Sequence, residues 1–97
     1  MYSQRVIVPN VVGLHGKQLS LFIYTATAYQ SKITLEKRDE EGIHECNAKS
    51  LLGVLSLHVV QGDIITITAD GVDEWNAVND LCQLIKESVN TDSGCMT

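Results

Sequence analysis

The apolar residues of this chain switch between two periods, and the order of the switches restricts the fold more than any other feature. From Arg5 to Val8 they alternate, with Val6 and Val8 on one side, as in a half-buried strand. Leu19, Phe22, Ile23, Ala26 and Tyr29 then recur at helical spacing, while Leu21, Tyr24 and Ala28 lie off that stripe. Alternation returns from Ser31 to Lys37, with Ile33 and Leu35 on one face. The charged run Glu36–Gly42 reads as a hairpin connection to a short return strand, Ile43 to Asn47. Ser50 is placed to cap a short helix carrying Leu51, Leu52, Val54 and Leu55. Gln61-Gly62-Asp63 turns into a strand from Ile64 to Ala69, with Ile65, Ile67 and Ala69 facing one way. Asp73 is placed as the N-cap of a last helix, where Glu74 suits the first turn and Val78, Leu81, Cys82, Ile85 and Val89 make the apolar stripe. The order β-α-β-β-α-β-α implies an α+β two-layer sandwich: a four-stranded antiparallel sheet, three helices on one face, and the other face open.

Size and charge narrow the function. The chain has 97 residues, enough for one domain with a small core. That domain spans residues 1–89, and residues 90–97 read as a polar, aperiodic, frayed tail. Twelve acidic against seven basic side chains give a net charge of −5, the wrong sign for a nucleic-acid partner. No apolar run is long enough for membrane insertion, and the N-terminus has no signal-peptide core. Cys46, Cys82 and Cys95 have no CxxC spacing, which argues against a disulfide framework or a metal site and for a cytoplasmic protein with free thiols. Cys46 and Cys82 are expected in the core and Cys95 in the exposed tail. Trp75 is expected as a partly buried flank of the last helix, and Lys86 near its C-terminal end.

One stretch invites chemistry. In Pro9-Asn10-Val11-Val12-Gly13-Leu14-His15-Gly16-Lys17-Gln18-Leu19 a histidine precedes a helix. Helix N-termini carry unpartnered N–H groups and attract anions, phosphate above all. Imidazole is a nucleophile that is partly neutral near pH 7. His15 is therefore open to two readings, a polar cap on a loop or a carrier of a phosphoryl group. The apolar side chains off the stripe of the first helix, Leu21, Tyr24 and Ala28, are open to two as well, a wider buried face or a contact surface. Leu51, Leu52, Val54 and Leu55 are more than a small core needs from one side, so some of them are expected to be exposed. The surface around Leu21, Leu51, Leu52 and Leu55 would suit a partner or a second copy. His44 and His58 read as strand-edge or loop residues.

Two separated stretches carry a family resemblance. Asn10-Val11-Val12-Gly13-Leu14-His15 resembles the active-site entrance of HPr, the histidine-containing phosphocarrier of the bacterial sugar phosphotransferase system. The segment Asn47-Ala48-Lys49-Ser50-Leu51-Leu52-Gly53-Val54-Leu55-Ser56-Leu57 resembles that family's regulatory serine segment. Gln61-Gly62-Asp63 and the Ala77, Val78, Leu81, Leu84, Ile85 pattern also fit, and the likeness runs from about Val6 to Val89.

The resemblance implies an open-faced β-sandwich and a stoichiometric carrier with no cofactor and no turnover of its own. His15 would accept a phosphoryl group from enzyme I, which takes it from phosphoenolpyruvate, and pass it to the A domains of sugar permeases. Ser50 would be phosphorylated by the HPr kinase/phosphorylase and then recognised by a catabolite-control repressor, with Lys49 a candidate charge partner for the phosphate. The docking surface would comprise Leu21, Lys49, Leu51, Leu52 and Leu55, and the protein would be a monomer or a weak homodimer. The family usually follows its histidine with alanine, arginine and proline; here Gly16, Lys17 and Gln18 stand there. Lys17 keeps the positive charge without the two-point fork of arginine. Gln18 restores a backbone N–H that proline lacks, and Gly16 loosens the position of His15. Transfer through these residues is expected to be slower. A regulatory paralogue, acting through Ser50 with weak or no transfer at His15, is the alternative.

Overall fold

The structure is a computed structural model that describes residues 1–8, 17–59 and 62–95, with side chains left out at 17, 18 and 87–95. The elements are β1 (Tyr2–Ile7), α1 (Lys17–Thr27), β2 (Lys32–Asp39), β3 (Gly42–Asn47), α2 (Leu51–Ser56), β4 (Ile64–Asp70) and α3 (Glu74–Cys95). The strands form one antiparallel sheet in the order β1-β4-β2-β3. This is the element order expected from the periods.

Alternation along each strand decides which side is covered. Val6, Ile33, Leu35, Ile65, Ile67 and Ala69 point under the helices and are buried. From above, α1 contributes Leu19, Phe22 and Ala26, α2 contributes Val54, and α3 contributes Ala77, Val78, Leu81, Cys82 and Ile85. Together they make one core. Among the described elements, none covers the opposite face of the sheet.

Three boundaries and one side-chain placement differ from the sequence reading. β1 begins at Tyr2 rather than Arg5, because Tyr2 through Ile7 all pair with β4. The charged run is mostly strand: β2 continues to Asp39 and β3 starts at Gly42, so the turn is two residues long. Charges are tolerated there because the outer end of the hairpin is solvated on both sides. Gly42, at φ +127°, supplies backbone that an L side chain resists. The third difference is α3, whose backbone stays helical through Cys95 where an aperiodic tail from Asn90 was expected. Each added residue costs little once a helix is nucleated, and no proline interrupts Ser88–Ser93. Lys86 is accordingly mid-helix. Finally, Trp75 is 62% exposed, not a buried flank, since the stripe of α3 already fills the space above the sheet.

Close approaches lock the connections. Gly71 lies so near the turn before β2 that a Cβ on it would meet Ser31 Cα at 2.7 Å. Asp73 precedes α3 as expected of a cap, but its carboxylate reaches across to accept from the backbone N–H groups of Gln30 (2.8 Å) and Ser31 (2.9 Å) and from the Ser31 hydroxyl. Glu74 accepts from the Gly71 N–H at 3.2 Å and pairs with the N-terminal ammonium at 3.0 Å. Each of these contacts holds its carboxyl below its usual range, the Ser31 hydroxyl first for Asp73 and the N-terminal ammonium first for Glu74.

Candidate functional site

His15 and Gly16 lie outside the described residues, as does the rest of the 9–16 stretch. Lys17 and Gln18 are the first two residues of α1, with their side chains outside the description. His15 thus stands two positions before the first helical residue.

The apolar side chains off the helical stripes face solvent. Leu21 on α1 is 42% exposed, and on α2 Leu51, Leu52 and Leu55 are 50%, 78% and 42% exposed. The two helices are neighbours in the fold, so the four leucines lie on the same layer of the protein. Val54, from the other side of α2, is buried. For Leu21 and Tyr24 the wider-buried-face reading therefore gives way to the contact-surface one, and Leu51, Leu52 and Leu55 are exposed as expected for part of α2.

Ser50 caps α2. Its backbone is extended (φ −99°, ψ 117°), its carbonyl accepts from the Val54 N–H, and its Oγ accepts from the Gly53 N–H at 3.1 Å. Gly53 is needed for closeness, since a Cβ there would lie 3.1 Å from Cys46 Cβ and 3.3 Å from Ser50 Oγ. Lys49 is tied elsewhere: its half-buried ammonium donates to the Tyr29 carbonyl at 2.7 Å, near the end of α1. It therefore links α1 to α2, and in this state it is not free to meet a group on Ser50.

Two polar contacts matter that periodicity did not announce. The Lys37 ammonium, 13% exposed, donates to the carbonyls of Leu57 (2.9 Å) and His58 (2.8 Å) and pairs with Asp63 at 3.2 Å. It gathers the end of α2 and the approach to β4, where His58 takes a positive φ of 52°. The Tyr29 hydroxyl meets the Asp80 carboxylate, joining the end of α1 to α3. Position in the chain announces neither contact; an inward-facing lysine on β2 was the only available signal. Cys82 is buried in the core as expected, whereas Cys46 is half-buried and packs against it; burial pushes both thiols up, which disfavours the thiolate.

On the hairpin, Asp39 accepts from the Glu41 N–H at 2.8 Å and lies 3.2 Å from His44 Nε2. Partial burial opposes ionisation of Asp39, but the Glu41 N–H and the His44 ring outweigh it and hold the carboxyl low. No described helix is long and apolar enough to cross a membrane.

A four-stranded antiparallel sheet in the order β1-β4-β2-β3 under three helices, with a serine capping α2 and exposed leucines beside it, defines a protein of the open-faced β-sandwich class. The family model described as "PTS HPr component phosphorylation site" matches residues 2–87. The chain belongs to the HPr phosphocarrier family of the phosphotransferase system. It is 34% identical over 93 residues to the phosphocarrier protein HPr of Xylella fastidiosa (strain 9a5c), covering 96% of this chain and 100% of that protein. It is 35% identical over 89 residues to the HPr-like protein Crh of Bacillus subtilis, covering 92% of this chain and 100% of Crh. The crystal structure of HPr from Thermoanaerobacter tengcongensis superposes with a TM-score of 0.81 at 36% identity, covering 90% of this chain and 93% of that one.

Proposed function

We propose that this protein is a phosphoryl carrier in the cytoplasm, accepting a phosphoryl group from enzyme I on His15 and passing it to the A domains of sugar permeases. What carries the reading is a family match over residues 2–87 that takes in the Asn10–His15 segment, with α1 beginning two residues after the histidine. The neutral imidazole offers a nitrogen lone pair to phosphorus; a new N–P bond forms as the bond to the donor breaks. Lys17 and Gln18 supply a positive charge and a backbone N–H near the phosphate, and Gly16 leaves the histidine room to change partners. The exposed leucines Leu21, Leu51, Leu52 and Leu55 serve as the docking surface for both donor and acceptor.

A regulatory role for Ser50 accompanies this reading. Its hydroxyl is half-buried and holds the Gly53 N–H, so a phosphate there would add roughly −1.5 to −2 charges beside Leu51 and Leu52. The HPr kinase/phosphorylase and a catabolite-control repressor are the proposed partners of that form. A paralogue working mainly through Ser50 is the second reading. It is favoured by the Gly16-Lys17-Gln18 sequence and by the 35% identity to the HPr-like protein Crh.

Intact-mass spectrometry after incubation with enzyme I and phosphoenolpyruvate decides between them. One acid-labile phosphoryl group, absent in His15→Ala, is the outcome expected of a carrier. No phosphoryl on the native chain, together with gain of one in Lys17→Arg/Gln18→Pro, would sink the carrier reading and leave Ser50 as the working residue.

A further inference from the structure

The uncovered face of the sheet is ordered by register into three rows. Arg5 pairs with Thr66, Thr66 with Glu36, and Glu36 with Glu45, so one row crosses the sheet as Arg5-Thr66-Glu36-Glu45. Beside it, Ile7 pairs with Ile64 and Arg38 pairs with Ile43, giving Ile7-Ile64-Arg38-Ile43. The third row is polar: Ser3, Thr68, Thr34 and Asn47. Ile7, Ile64 and Ile43 are 61%, 46% and 55% exposed, an unusual concentration of isoleucine on a solvated surface. Arg5, Glu36, Arg38, Ile64 and Thr66 line a shallow groove of about 470 Å³. Among the described residues, none of the four charges in these two rows has an ion-pair partner within the chain.

We propose that a second copy of this chain docks on this face, sheet against sheet, about a two-fold axis running along the strands between β4 and β2. That axis exchanges β1 with β3 and β4 with β2. Arg5 of each copy then meets Glu45 of the other, twice per dimer, and Ile7 meets Ile43, also twice. Ile64 meets the aliphatic stem of Arg38, and Glu36 enters the groove between Arg5 and Arg38 beside Thr66. An axis across the strands through either row instead stacks Arg38 on Arg38, or Arg5 on Arg5 and Glu45 on Glu45, so charge selects the first arrangement. Aligned sheets about 10 Å apart are an ordinary packing mode.

The association is weak. Four strands about 4.8 Å apart and six residues long give a footprint of roughly 400 Å² per copy, about half the ~800 Å² each partner contributes to a standard interface. The net charge of −5 on each copy opposes it further. Exposed β1 offers a different route to a dimer, exchange of that edge strand between copies, and the leucines of α1 and α2 offer another.

Sedimentation of the native chain in about 0.15 M salt, from micromolar to roughly millimolar, with amide shifts followed over the same range, tests the arrangement. The expected result is a mass that rises with concentration and shifts confined to Arg5, Ile7, Glu36, Arg38, Ile43, Glu45 and Ile64. Arg5→Glu and Glu45→Arg, both at exposed positions, each weaken the dimer on the order of tenfold, two pairs being lost at once. The double variant Arg5→Glu/Glu45→Arg restores the native affinity. A chain that stays monomeric throughout overturns the proposal. So does a dimer indifferent to the single variants, which places the contact at β1 exchange or on the helices.

Discussion

Asp73 joins two turns that are forty residues apart in sequence. Its carboxylate takes the N–H groups of Gln30 and Ser31 together with the Ser31 hydroxyl. The charged form receives all of these bonds, so the folded chain holds the Asp73 pKa below its ordinary value of 3.8. A carboxyl depressed by folding contributes stability above its unfolded pKa and loses it as pH falls through the folded one. Thermal melts from pH 6 to pH 2 therefore have a defined outcome. Asp73→Asn melts below the native chain at pH 6, and the difference closes as the pH drops below the ordinary aspartate range. A difference that stays constant with pH would mean that shape, not charge, holds the turn. The same pair of turns explains Gly71, whose Cα has no space for a side chain beside Ser31.

At the scale of elements, α2 is the revealing one. It has six residues, too few to be stable alone, and is held from both ends by contacts of different kinds. Ser50 closes the start through Gly53 N–H, and Lys37, from a different element, closes the end through the Leu57 and His58 carbonyls and Asp63. Ser50→Ala removes one neutral cap and is expected to cost about 1 kcal/mol. Lys37→Met removes a largely buried ammonium from two carbonyls and a carboxylate, and is expected to cost about 2 kcal/mol. Urea unfolding of the two variants measures this order; a Ser50→Ala loss exceeding that of Lys37→Met would show that the cap dominates. The phosphorylation proposed for Ser50 would act on the same end of α2 that its hydroxyl caps.

Over the whole molecule, stability is graded across the sheet. β4 is bonded on both sides, to β1 and β2, and carries Ile65, Ile67 and Ala69, all fully buried. β3 pairs only with β2 and shows solvent most of its residues. Native-state hydrogen exchange should find the slowest amides on β4 and β2 and the fastest strand amides on β3. Comparable protection of β3 would point to something covering that edge in solution.

Much of this was legible in the sequence because it depends on neighbours in the chain. Periods of two and of about three and a half placed all seven elements and most of the core, since burial of one face is decided by alternation alone. Ser50 was legible as a cap because it acts three residues away on its own helix. The charged hairpin was misjudged because charged residues belong equally to turns and to solvated strand ends, and pairing with a partner strand settles which. Lys49, Lys37 and Asp73 escaped because their partners lie 20 to 43 residues away. The exposure of Trp75 escaped because it depends on how much of the space above the sheet other side chains have filled. The open face shows the division most clearly. Alternation implied that one side of the sheet would be half-solvated, but alignment of Arg5, Glu36 and Glu45 in one row is a matter of register. Register is set by which strands pair and where, and no single strand contains that information.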